Sequence, residues 1–252
     1  MSARIQAYLR TAAARDRDVE RIGPFTATFT RHSRNLYINY AIPDDGASPT
    51  ADDVAALVDA FERHERVPRL EYLPGLAPDV EPALLAAGFT VEDRLPLMEC
   101  PPGGAVEQPV PEGFELLRPT TDEEHLAVLS TQREAFGDEP PTADDLIGAR
   151  RQDDAGGITF LARDRASGDP AGAGACTPLS DGFTEVVGVA VREKYRRRGL
   201  GGVVTLHLTL AAHEAGAHTV FLTPAGDAQE RVYARVGYRR IDSVLFLSRG
   251  AE

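Results

Sequence analysis

The sequence is poor in several things that whole classes of protein need. Its two cysteines, Cys100 and Cys176, are too few for a disulfide scaffold and lack metal-ligand spacing, so both read as free thiols and no metal is implied. Lys194 is the only lysine; the remaining basic residues are arginines, which points to a high-GC bacterial genome more than to a function. Positive charge is not in excess either. A formal net charge of −12 argues against general nucleic-acid binding and favours small cationic partners. No apolar stretch approaches the roughly 20 residues that a bilayer span needs, and the N-terminus, MSARIQAYLR, lacks a signal-peptide core. These absences predict a cytoplasmic protein with no membrane partner.

What is present fits a globular chain of one large or two small domains, with 42% apolar and 26% charged residues in 252. PPGGAVEQPVPEG, from residue 101, is rich in Pro and Gly and has no periodicity, so residues 101–112 read as a linker. After it the pattern is strand, two helices, three strands, helix, strand, helix, strand. FELLRP is a short strand, and TTDEEHLAVLSTQREAF opens with a threonine cap and acidic first-turn residues; a second helix follows within TADDLIGARRQ. ITFLARD, AGAGACTPL and FTEVVGVAV are strands joined by Gly/Asp/Ser turns as hairpins. GLGGVVTLHLTLAAHEAG is a helix opened by glycines, TVFLTP a buried strand, AQERVYARVG a helix stopped by Gly237, and YRRIDSVLFLSR a final strand.

A shift of 149 positions lays residues 22–100 on residues 171–249 without a gap. Gly23 meets Gly172, His64 and Glu65 meet His213 and Glu214, and Gly88 meets Gly237. Few residues are identical, but the apolar pattern keeps register across several elements. The first copy is incomplete, because only about twenty residues precede it where the second has a strand and two helices.

In the second copy the strand FTEVVGVAV runs into REKYRRRGLGG and then a helix. R-x-x-G-x-G, carried by Arg196, Gly199 and Gly201, makes a concavity of backbone N–H groups at the positive end of a helix, a place that suits a phosphate. Glycine lets the backbone approach a pyrophosphate, while Arg196, Arg197 and Arg198 answer its charge from the rim. It is neither a Walker loop nor a dinucleotide fingerprint, since no G-K-[ST] and no G-x-G-x-x-G is present. A solvated basic turn is the plainer alternative.

On this motif, and on Tyr233 followed by Gly237 and Tyr238, residues 113–250 resemble the GNAT superfamily of N-acetyltransferases. The resemblance implies a mixed, mostly antiparallel α/β sheet flanked by helices, splayed by a bulge, in which the loop Arg196, Arg197, Arg198, Gly199, Leu200, Gly201 and Gly202 holds the pyrophosphate of acetyl-CoA. It places the pantetheine arm along Val189, Ala190 and Val191. Where many members carry an asparagine that contacts the cofactor, this chain has Gly226.

The reaction so implied needs a base, because a primary amine with a pKa near 10 is mostly protonated at neutral pH. Glu185 stands where several members place a catalytic carboxylate, and strict alternation puts it on one face with Val187 and Val189; a solvent-facing strand residue is the alternative. Tyr233 resembles the family's donor to the leaving thiolate, with packing beneath the cofactor as its alternative. Phe136, Asp138 and Glu139 lie in a connection that borders the acceptor pocket in this family, and their acidity suits a cationic amine. His207 and His213, six apart on one helix, are surface residues rather than a metal pair.

The expectation is therefore a tandem chain: a truncated, degenerate GNAT-like domain over residues 1–100, the linker 101–112, and a catalytic GNAT domain over 113–252. The expected activity is acetyl transfer from acetyl-CoA to a small-molecule amine by direct attack. A protein N-terminus or lysine as acceptor, or a non-catalytic acyl-CoA sensor, are the alternatives, and a second copy of the chain is left open as a partner. At the place of the cradle the first copy reads Ala47 to Asp53, with Thr50 capping a helix whose first turn carries Asp52 and Asp53, and Leu84 stands in the place of Tyr233. The first copy is thus expected to bind no cofactor.

Overall fold

The computed structural model describes residues 1–31 and 34–250. The chain divides into two units, Met1–Leu97 with Ile241–Glu252, and Met98–Arg240.

The first unit contains helix α1 (Ser2–Ala13) and strands β1 (Asp18–Ile22), β2 (Phe25–Phe29) and β3 (Tyr40–Pro43), then helix α2 (Ala51–Arg63), strand β4 (Arg69–Tyr72), helix α3 (Val80–Ala86) and most of strand β5 (Thr90–Cys100). Helix α2 starts where the sequence places it. The Thr50 hydroxyl accepts from the Asp53 amide at 3.2 Å, and the Asp53 carboxylate takes the Thr50 amide at 2.8 Å, a reciprocal pair that satisfies two end donors. Val54, Leu57, Val58 and Phe61 then recur at helical spacing and are all buried with Phe25, Phe29, Leu70 and Tyr72. Thr50→Ala should cost about 1 kcal/mol and lower the melting temperature by about 2–4 °C. A thermal scan that does not move would show that the cap contributes nothing.

The second unit adds strand β6 (Phe114–Leu117), helices α4 (Asp122–Phe136) and α5 (Ala143–Asp154), strands β7 (Ile158–Asp164), β8 (Pro170–Cys176) and β9 (Phe183–Val191), helix α6 (Leu200–Glu214), strand β10 (Thr219–Leu222) and helix α7 (Asp227–Val236). The same device opens α4 and α5, with Thr121 paired to Glu124 and Thr142 to Asp145. Strands β6 to β9 form an antiparallel meander, as the Gly/Asp/Ser turns predict. The order continues from β9 to β10 in parallel and from β10 to the end of β5 in antiparallel. Helix α6 packs on one face of this sheet: a side chain at Gly174 would run into Val204 and Leu208, and the Cys176 thiol lies 3.7 Å from the Leu208 carbonyl. Helix α4 covers the other face, where Val128 packs on Leu161 and Ala173.

Two expectations are corrected here. The last strand, β11 (Arg239–Ser248), pairs not with the second unit but with β4, Leu245 opposite Tyr72 and Leu247 opposite Leu70. The place beside β10 is taken by Met98, Glu99 and Cys100 of β5. The boundaries 1–100 and 113–252 therefore give way to a first unit that takes in Ile241–Glu252 and a second that starts at Met98, within β5. The repeat lays β5 on β11, with Leu95, Leu97 and Met98 on Val244, Phe246 and Leu247, so the two strands share much of their apolar pattern. Second, the stretch 101–112 is not a free linker. It lies on the end of α7, where the Val106 amide donates to the Val236 carbonyl at 2.8 Å and the Gln108 side-chain amide to the Arg235 carbonyl at 3.0 Å.

The repeat itself appears in the elements. Helix α6 begins 149 residues after α2, and β11 begins 149 residues after β5, which is the shift at which the sequence aligns.

Candidate active site

Strand β9 is the centre of the site, and two features make it so. First, its pairing with β8 breaks: Val187 faces Ala175 and Ala190 faces Ala173, which leaves Gly188 and Val189 together opposite Gly174. This is a β-bulge, and Gly188 takes the φ of +61° that a residue with a side chain rarely adopts. Second, β9 pairs with β10 only through Phe183, Thr184 and Glu185. Beyond Glu185 the two strands part, and the backbone of the following residues is left available to a ligand that runs along the strand.

The bulge overturns the expected alternation. An extra residue moves everything after it to the opposite face, so Val187 lies on the α4 side whereas Val189 and Val191 lie on the α6 side. Glu185 keeps company with Val187 and not with Val189. Ala190 is buried and faces away from the α6 side.

On the α6 side lies a cleft of about 610 Å³ between α6 and α7. One wall is the loop after β9. Arg197 and Gly199 both have positive φ, at +63° and +85°, which curls the chain so that α6 starts at Gly199 with no side chain capping it. The first-turn amides of Leu200, Gly201 and Gly202 are the donors that a helix cannot satisfy internally, and all three residues line the cleft. Arg196 and Arg197 stand at its edge, Arg196 donating through Nε to the Val191 carbonyl at 3.2 Å. Arg198 does not join them. Its guanidinium lies over the rings of Phe114 and Tyr195, at 5.8 and 5.7 Å, so it braces the loop from behind. Lys194 is held by Asp169 at 2.7 Å.

The opposite wall is α7, which presents Ala228, Gln229, Val232, Tyr233 and Arg235. Burial pushes the Tyr233 phenol up to about 12, so it is a proton donor throughout the neutral range. The helical spacing of residues 229, 232 and 233 follows from the sequence once Tyr233 is placed on that face. Gln108, which also lines the cleft, had no signal in its irregular stretch.

On the α4 side is a second cavity of about 360 Å³, lined by residues of α4, α5 and the strands, Val187 and Gly188 among them. Of the three residues expected at an acceptor pocket, Phe136 and Asp138 border this cavity and Glu139 does not. The left-handed Gly137 (φ +76°) ends α4 and turns the chain so that only the first of the two acidic residues faces the cavity. Sequence reasoning missed His125, Gln132 and Arg133. The buried His125 places Nε2 at 2.7 Å from Asp153 and Nδ1 at 2.8 Å from the Thr121 carbonyl, tying the start of α4 to the end of α5. Arg133 is paired with Asp145 at 2.7 Å. Among the described residues lining this cavity, Asp138 is the carboxylate that no cation answers.

The two cavities lie on opposite faces of one sheet and approach each other at the bulge: Gly188 lines the second and Val189, the next residue, the first. Glu185 lines neither of them and stands two residues before Val187 on the same strand. Cys100 and Cys176 are both buried, with thiols pushed up by that burial to about 11 and about 12, as packing residues would be. His207 and His213 each turn Nδ1 to a backbone carbonyl at 2.9 Å, and no three metal-binding side chains gather among the described residues.

Residues 122–238 match the model of the acetyltransferase (GNAT) family. They form a GNAT acetyltransferase domain. A GCN5-related N-acetyltransferase from Kribbella flavida is 26% identical, with 100% of this chain and 96% of that one covered at a TM-score of 0.85. A GCN5-related N-acetyltransferase from Sphaerobacter thermophilus is 15% identical over 90% of this chain and 76% of its own, with a TM-score of 0.65. A tandem GNAT protein from the clavulanic acid biosynthesis pathway is 16% identical over 89% and 77%, with a TM-score of 0.63. The last two share the fold. No curated protein matches the sequence. The GNAT domain makes this an acyltransferase that depends on acetyl-CoA, and its uncapped α6 and curled loop are donors of the kind that a pyrophosphate requires.

Proposed function

We propose that this chain transfers the acetyl group of acetyl-CoA to the nitrogen of a small-molecule amine, by direct attack while both are bound. The observation that carries this reading is the approach of two cavities from opposite faces of the sheet to neighbouring residues of one bulge. A donor held in the α6/α7 cleft and an amine held in the smaller cavity would meet there, with no need for an acyl-enzyme.

In this reading the first-turn amides of α6, with Arg196 and Arg197 at the rim, hold the pyrophosphate. The parted edge of β9 receives the pantetheine arm. Glu185, directly or through water, takes the proton that a protonated amine must lose. The amine nitrogen then bonds to the thioester carbon, the carbonyl oxygen gains charge, and the Val189 amide stabilises it. As the C–S bond breaks, the Tyr233 phenol gives its proton to the thiolate. The nitrogen gives up its second proton through water to the Tyr233 phenolate as the neutral amide forms, Glu185 returns its proton to solvent, and free CoA and the amide leave.

A cavity of about 360 Å³ is at the lower end of small-molecule sites, which favours a compact acceptor over a protein chain. The unanswered Asp138 favours a cationic one. Asp138→Asn should raise KM for such amines up to about fivefold, the effect of one exposed charge pair, and leave kcat unchanged. An unchanged KM would remove Asp138 from the acceptor site.

The first copy is proposed to be a scaffold. Its α2 end already carries Thr50 and Asp53 bonded to each other, so a phosphate would meet a satisfied and acidic helix start. Screening primary amines for thiol release from acetyl-CoA, together with calorimetric titration of CoA, tests the whole reading. Turnover of a small amine and one CoA per chain are expected; binding without turnover of any amine would leave a sensor, and two CoA per chain would refute the scaffold.

A further inference from the structure

We propose that Gln132 is a positioning residue that sets the direction of the amide at the β9 bulge. The proposal rests on the reading that acetyl transfer takes place at that bulge.

Gln132 stands on α4, half-buried, four residues after the buried Val128 and so on the face of the helix that meets the sheet. Its Nε2 donates to the carbonyl of Gly188 at 2.9 Å. The bulge is what creates the need. With two residues of β9 opposite one of β8, the ladder is interrupted there, and a carbonyl left without a strand partner must find another donor. Gly188 is the residue that permits it: a Cβ at this position would come within 2.3 Å of the Gln132 nitrogen.

The consequence follows from peptide geometry. The carbonyl of Gly188 and the N–H of Val189 belong to one planar unit, no peptide bond among the described residues is cis, and in a trans unit the two point in opposite directions. A carbonyl drawn toward α4 therefore turns the Val189 N–H toward the α6/α7 cleft, the side from which the thioester would arrive. Gln132 acts on that amide through the Gly188 carbonyl. It fixes from the acceptor side a donor that works on the cofactor side.

Three variants test this. Gln132→Met keeps the length and removes the donor. Gly188→Ala displaces the glutamine. Gln132→Glu can donate only while its carboxyl is protonated. The titratable groups around the position are His125 and Arg133 of α4, Asp138 after it, Asp145 and Asp153 of α5, and Glu185 of β9; each remains in every variant, so the ratio to wild type at each pH isolates position 132. The direct readout is the infrared stretch of the acetyl-CoA thioester carbonyl, which binding to the wild-type protein should lower. In Gln132→Met and Gly188→Ala that lowering should disappear while CoA affinity by calorimetry stays within about threefold, and thiol release with hydroxylamine as probe acceptor should fall about tenfold or more. In Gln132→Glu the loss relative to wild type should be repaired as the pH is lowered. A full carbonyl shift in Gln132→Met, or a Gln132→Glu variant whose ratio to wild type is flat with pH, overturns the proposal. A wild-type protein that binds acetyl-CoA with no carbonyl shift overturns it together with the reading of the bulge as the reaction centre.

Discussion

Gly201→Val is expected to leave the protein folded and to abolish its stabilisation by CoA. Gly201 sits in the first turn of α6 and lines the cleft; its φ is not positive, and a Cβ there would meet only Val191, at 3.8 Å. A Cβ at this position therefore fits the unliganded protein without strain. What it fills is the space above the first-turn amides, where a pyrophosphate must approach the backbone closely. Gly199 is the poorer choice for this experiment, because its φ of +85° means that any side chain strains the loop as well as blocking it. With CoA at about a hundred times its Kd, the wild-type protein should gain about 2.7 kcal/mol, and the variant none of it. Thermal unfolding with and without CoA measures both. A variant that keeps the full CoA shift would show that the cofactor does not lie on the start of α6.

The start of that helix was legible in the sequence because glycine and threonine carry their structural reasons with them. Three threonines followed by an acid three residues later open α2, α4 and α5 as capping boxes, and the glycines after Arg198 open α6 with no cap at all. The contrast between Thr50 and Gly199, at corresponding places of the two copies, could be read without coordinates. The exchange of β5 and β11 could not. Pairing partners of strands are chosen by complementarity across tens of residues, and these two strands have similar apolar patterns. The bulge was implied by the resemblance, but its position was hidden for a related reason. Nothing in FTEVVGVAV marks which residue is the extra one, and only its partner β8 shows that Gly188 and Val189 share one position. That single residue moved Val189 to the opposite face from Glu185. Gln132, Gln108 and His125 escaped because a polar residue on a helix or in a loop has a bland reading until a carbonyl or cavity is found beside it.

Tyr233→Phe should lower turnover by about 10²- to 10⁴-fold and leave CoA affinity within a few fold. The ring stays where the cleft and Tyr238, 6.2 Å away, hold it, so only the hydroxyl is lost. Because the leaving thiolate exists only as the C–S bond breaks, its donor acts in the transition state, and kcat and kcat/KM should fall together. Burial raises the phenol to about 12, so it keeps its proton at every pH at which the protein would ordinarily be assayed. An alkaline fall in rate below that value belongs to another group and should survive in Tyr233→Phe. Glu185→Gln should behave differently. A carboxylate that removes a proton from the incoming ammonium matters most when little free amine is present, so its loss should be deepest at low pH and should shrink as the pH rises toward the amine's own pKa, near 10. The pH dependence of kcat/KM for the two variants separates the roles: a uniform deficit marks the acid and a deficit that closes with pH marks the base. Full turnover in Tyr233→Phe would return the phenol to packing, and a Glu185→Gln deficit that does not vary with pH would mean that the carboxylate holds the strand rather than the proton.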